Sequence, residues 1–131
     1  MNRKTRFISV EAAIKTDHPH DAFVQWFAAQ GEYVEVLPWD THRFYIYFAP
    51  LPRGTADETI RQVCHQIAAL PGPTRQQWDA ADFREFSVGY EVGSEPLCYE
   101  EHLSPETLSL ATSLGAGIGL ALYAHGESHV A

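Results

Sequence analysis

Hydrophobic and polar residues alternate with period two at the start of the chain. Over residues 5–14, Ile8, Val10, Ala12 and Ile14 fall on one side, and Phe7, Ser9, Glu11 and Ala13 on the other, which predicts a half-buried strand. Asp17-His18-Pro19 then reads as a helix start. Phe23, Trp26 and Phe27 share one helical face, and Gly31 stops the helix. Alternation returns at residues 32–37, with Val34 and Val36 opposed to Tyr33, Glu35 and Leu37. A turn over residues 38–42 leads to the clearest strand, residues 43–49, where Phe44, Ile46 and Phe48 oppose Tyr45 and Tyr47.

The second half repeats the alternation of periods. Thr55-Ala56-Asp57-Glu58 is a capping box opening a helix with Ile60, Val63, Cys64 and Ile67 on its inner stripe. Pro71-Gly72-Pro73 ends it, and a polar connection containing Trp78 is expected to follow. Residues 84–92 place Phe86, Val88, Tyr90 and Val92 on one strand face and Glu85, Ser87, Gly89 and Glu91 on the other. After an acidic loop, Ser104 caps a third helix with Pro105 in its first turn, and Leu114-Gly115 ends it. Residues 116–123 alternate Ile118, Leu120 and Leu122 with Gly117, Gly119 and Ala121.

The order β-α-β-β-α-β followed by α-β predicts an α+β fold. We expect a ferredoxin-like βαββαβ unit with an additional C-terminal αβ unit, a five-stranded mixed sheet and helices on one face. A length of 131 residues fits one domain spanning 1–131, with residues 125–131 expected as a mobile tail.

Charge changes the picture because it is unevenly placed. Residues 1–75 carry eight acids and eight bases, whereas residues 76–131 carry nine acids and Arg84 alone. The net charge of −8 therefore sits in the second part and argues against a nucleic-acid partner. Two cysteines, Cys64 and Cys98, suit a reducing cytoplasm, and Cys64 fits a helical core stripe. Glu11 interrupts the apolar run behind Arg3, Lys4 and Arg6, so no signal peptide is expected. Residues 107–124 are uncharged but hold four hydroxyls and three glycines, which favours a helix and a buried strand over a membrane span.

Motifs that carry chemistry are absent: no G-x-S-x-G, Walker loop, H-E-x-x-H or C-x-x-C occurs. Gly115 to Gly119 lies between a helix and a strand, the reverse of a phosphate-binding turn, and reads as a close-packing site. His18 and His20 at a helix start, His42 beside Asp40, and the tail pair His125 and His129 are scattered. Glu100, Glu101 and His102 are merely adjacent in a loop. Catalytic, metal and cofactor sites are therefore not expected.

The most informative set is the second sheet face. If the Ile8, Val10 and Phe86 side meets the helices, the other side displays Phe7, Ser9, Glu11, Tyr33, Glu35, Tyr45, Tyr47, Glu85, Ser87 and Glu91. Amphipathic Tyr beside carboxylates suits an interface with a basic protein. Solvent-facing Tyr also follows from strand propensity alone. Glu95, Glu100 and Glu101 in the acidic loop extend the candidate partner-binding set.

The segment from Phe86-Ser87-Val88-Gly89-Tyr90 through Leu103-Ser104-Pro105-Glu106-Thr107-Leu108 to Leu114-Gly115-Ala116-Gly117 and the strand closing at Tyr123 resembles a family of small uncharacterised bacterial α+β domains. The helix from Thr55 to Leu70 before its Pro break is similar too. The resemblance covers about half the chain, rests on caps and core positions, and carries over no catalytic residue. Some such domains resemble immunity proteins of toxin systems. The localised charge, the aromatic-acidic face and the lack of a catalytic motif lead us to expect a cytoplasmic, non-enzymatic bacterial protein-binding domain, and the resemblance implies a toxin-neutralising immunity protein as one form of it. Two alternatives stand beside it: a small-molecule-binding domain or unrecognised enzyme with a pocket between the sheet and the Trp39 or Trp78 loop, rimmed by His42 or His102, and a structural homodimer pairing sheet faces or edges.

Overall fold

A computed structural model describes residues 3–17, 21–40 and 43–124. Within them lie five strands and four helices: β1 (Arg6–Thr16), α1 (Asp21–Ala29), β2 (Tyr33–Pro38), β3 (Phe44–Ala49), α2 (Ala56–Ala68), α3 (Gly72–Ala80), β4 (Phe83–Val92), α4 (Pro105–Ser113) and β5 (Gly117–Ala124). The fold is α+β with one mixed sheet in the order β2-β3-β1-β4-β5. Its first four strands pair antiparallel, and β5 joins β4 in parallel, as expected of a strand reached through the α4 crossover. No helix among the described residues is long and apolar enough to cross a membrane.

One core lies between the sheet and the helices. Val10, Ala12 and Ile14 of β1, Ile46 and Phe48 of β3, and Phe86 and Val88 of β4 are buried there. Phe23 and Phe27 of α1 and Ile60, Val63, Cys64 and Ile67 of α2 close over them. Five rings run through this core from β3 to β4. Phe48 stacks on Phe27 at 3.8 Å, Phe27 meets Phe23 at 4.8 Å, and Trp78 lies between Phe23 at 6.4 Å and Phe86 at 6.1 Å. Each such pair adds about 0.5–1.5 kcal/mol beyond the area it buries.

The caps form as the residues require. Thr55 accepts from the Glu58 amide while Glu58 reaches back to the Thr55 amide, completing the capping box of α2. The Ser104 hydroxyl accepts from the Thr107 amide, with Pro105 in the first turn of α4.

Three expectations are corrected. The polar connection after α2 is the helix α3. Prolines stop α2, yet a Pro also suits a helix's first turn, so Pro71-Gly72-Pro73 both ends one helix and opens the next. Only Thr74 and Trp78 of α3 are buried, an i,i+4 pair too sparse to show as an apolar stripe. Strand β1 continues to Thr16, so α1 begins at Asp21 and not at Asp17. Finally, a bulge between Phe7 and Ser9 reverses the start of β1. Phe7 pairs with Tyr90 and packs on the core, while Ile8 lies beside Gly89 on the opposite face. The expected tail at 125–131, His125 and His129, the His18 and His20 pair, and His42 lie outside the described residues.

Candidate functional site

Strand register sets out the uncovered face in rows. Leu37, Tyr45, Lys15 and Phe83 lie side by side across β2, β3, β1 and β4. The next row is Glu35, Tyr47, Ala13, Glu85 and Gly117. Glu11, Ser87 and Gly119 follow. The face therefore does bring together Glu11, Tyr33, Glu35, Tyr45, Tyr47 and Glu85. Ala13, at its centre, has no exposed surface, so the floor of the patch is dry.

Glu35 organises one end. The Tyr33 and Tyr47 hydroxyls both donate to its Oε2, at 2.6 and 2.7 Å. These bonds hold the Glu35 carboxyl below the ordinary carboxylate range. The same carboxylate raises the Tyr33 phenol, and burial together with Glu35 raises that of Tyr47. Glu11 behaves oppositely: burial, then the Glu35 charge, pushes its carboxyl up. Burial, then Glu11 and Glu85, raises the Tyr45 phenol. Among the described residues, Glu11, Glu35 and Glu85 form no ion pair.

Lys15 belongs to this face because β1 outruns the alternating segment that predicts it. Its Nζ sits 3.5 Å from the Trp39 ring centroid and 4.5 Å from that of Phe83. The face is thus acidic beside a cation already held by aromatic rings. Trp39 lies here, against Tyr45 and Lys15, whereas Trp78 is wholly buried on the core side. The sheet thus separates the two rings, which stand in different surroundings. Glu91 stands at the far edge, bound to Arg6 at 3.0 Å.

The loop acids lie elsewhere. Residues 93–103 fold over the helix side of β4 and β5, and Arg3 and Thr5 pin the loop's start by main-chain bonds to Ser94 and Glu95. Gly93 is needed there, since a Cβ would meet the Arg3 carbonyl oxygen at 2.1 Å. The backbones of Lys4 and Glu95 form an isolated parallel β-bridge in the same contact. Glu100 faces solvent with His102, 3.5 Å away in an exposed pair, and Cys98 is exposed nearby. Glu101 turns the other way and accepts from the hydroxyls of Tyr90 (3.2 Å) and Tyr99 (3.0 Å). Burial, then Glu101, pushes the Tyr90 phenol up to about 12.

These three residues stand in a groove of about 510 Å³ whose apolar walls include Val88, Leu97, Leu103, Leu120 and Leu122. Residue order alone does not reveal the groove. It needs the loop to fold back on β5, leaving Leu120 and Leu122 about two-thirds exposed. Among the described residues, no group of three or more His, Cys, Asp or Glu is arranged to hold a metal ion. Burial pushes the Cys64 thiol up to about 11, the state of an inert core residue. No protein-family model, curated protein or solved structure matches this chain.

Proposed function

We propose that the protein is a non-enzymatic binding module whose uncovered sheet face accepts an arginine- or lysine-bearing surface of a protein partner. One observation carries this reading: Glu11, Glu35 and Glu85 surround a dry centre beside Tyr33, Tyr45 and Tyr47, with no cation paired to any of the three among the described residues. Cationic side chains satisfy both components of such a face, the carboxylates by charge and the rings by cation–π contact. Lys15 over Trp39 and Phe83 illustrates the second contact within the molecule itself. Acids speed encounter, and tyrosines desolvated at the centre hold the complex.

The resemblance noted above gives this reading its specific form, a cytoplasmic immunity protein that neutralises a basic toxin. Two unpaired cysteines accord with that compartment. We also read the first four strands, in the order β2-β3-β1-β4, as a ferredoxin-like unit to which α4 and β5 are appended.

An NMR titration of the protein with a decapeptide of alternating arginine and valine tests the reading. Shift changes are expected along residues 9–15, 33–37, 45–49 and 83–87, weakening as salt is added. Changes confined to the 93–103 loop, or binding indifferent to salt, would contradict it. A homodimer joined through this face or through the β5 edge would instead show a doubled mass in equilibrium sedimentation without any peptide.

A further inference from the structure

We propose that the groove between β4, β5 and the 93–103 loop binds a small organic cation, an amine or amidine on an apolar body, with Glu101 as its charge partner. This site is independent of the protein-binding reading, because the groove opens on the helix side of the sheet and the acidic-aromatic face on the other.

Its volume of about 510 Å³ falls in the range of small-ligand sites, roughly 300–1,000 Å³. Apolar side chains wall it, and the lining contains one carboxylate and no cationic residue. The hydrogen-bond inventory then selects the head group. The Tyr90 hydroxyl donates to Glu101 Oε1 and the Tyr99 hydroxyl to Oε2. The third hydroxyl of the lining, that of Thr5, donates to the Gly93 carbonyl. All three side-chain donors are therefore committed, while each carboxylate oxygen keeps acceptor capacity beyond its one phenol. The groove offers side-chain acceptors and a negative charge but no free side-chain donor. An ammonium or amidinium, which only donates, matches that surface; a carboxylate or phosphate does not. The phenols also hold the carboxylate in place before a ligand arrives, since the Tyr90 ring is fixed edge-on between Phe7 at 6.2 Å and Tyr99 at 5.9 Å.

Calorimetric titration of the full chain with 4-phenylbutylammonium tests the site, with 4-phenylbutyrate and 4-phenylbutanol as matched probes. The ammonium is expected to bind, the carboxylate not, and the alcohol at least about tenfold more weakly than the ammonium. Glu101→Gln is expected to weaken the ammonium by about tenfold or more. Leu120→Arg, at an exposed wall position, is expected to abolish binding without touching the Tyr–Glu cluster, and stands if the first variant fails to fold. Combined replacement of Glu11, Glu35 and Glu85 by Gln is expected to leave amine binding unchanged, which separates this site from the sheet face. Equal binding of all three probes would overturn the proposal, as would binding unaffected by both groove variants. So would a groove that takes no probe because sedimentation shows a second copy seated along β5.

Discussion

Trp78 joins the α1 and β4 parts of the core. It stacks on Phe23 of α1 and Phe86 of β4, and its Nε1–H donates to the Leu114 carbonyl at 3.0 Å where α4 ends. Trp78→Phe keeps most of the ring but leaves that carbonyl without its donor. It is expected to cost about 1–3 kcal/mol. Trp78→Ala also opens a cavity and is expected to cost about 3–5 kcal/mol. Urea denaturation checks both, with the midpoint falling and the slope unchanged. Glu11 lends itself to an opposite test. Its carboxyl is raised by burial and by Glu35, so its contribution to stability is full below the unfolded carboxylate pKa and is lost as pH rises through the folded one. Glu11→Gln is therefore expected to raise the melting temperature at pH 7. The gain should shrink towards zero below about pH 4. Thermal melts at the two pH values decide it, and a destabilised variant at pH 7 would contradict the burial argument.

At the scale of elements, Asp57 fastens two helices whose starts lie far apart in sequence. One of its oxygens accepts from the Ser104 amide at 2.7 Å and the other from Arg61 at 3.0 Å. Burial opposes the charge, but Ser104, Thr107 and Arg61 outweigh it and hold the carboxyl below its ordinary range. The resulting stability is present above the unfolded carboxylate pKa and is lost as pH falls through the folded one. Asp57→Asn is expected to cost about 1.5–3 kcal/mol at pH 7, with the difference from wild type closing in acid. Denaturant titrations at pH 7 and pH 3 measure it. This link is not legible in the residues, because Asp57 reads there only as a first-turn acid of α2. Elements with strong periods are legible: alternation over 43–49 and 84–92 predicts β3 and β4 to within a residue at each end. Where one element hides behind local chemistry, reading fails. Pro71-Gly72-Pro73 masks α3, and a single extra residue near Phe7 turns two side chains to faces that simple alternation does not give them. The sheet-face tyrosines follow from period two, whereas the groove depends on a loop of 11 residues whose path no period encodes.

Across the described residues, acidic side chains stand on two different surfaces. Glu85 joins the N-terminal acids Glu11 and Glu35 on the open face, while Glu100 and Glu101 belong to the loop on the helix side. The concentration of acids in the second part of the sequence is thus not a single patch in space. That separation makes the central claim testable, because charge can be removed from either surface in equal amount. The most direct measurement is the affinity of the arginine–valine decapeptide for two triple variants at low and high salt. One replaces Glu11, Glu35 and Glu85 by Gln, and the other, the loop variant, replaces Glu95 and Glu100 of the loop together with Glu106 in the adjoining first turn of α4. At an ionic strength of about 0.01 M, where charges act over about 30 Å, the sheet-face variant is expected to bind about tenfold or more weakly than wild type. The loop variant should change much less, and all three proteins should converge near 1 M salt, where that distance falls to about 3 Å. Equal losses in the two variants would mean that net charge alone attracts the peptide. No loss in the sheet-face variant would contradict the account outright.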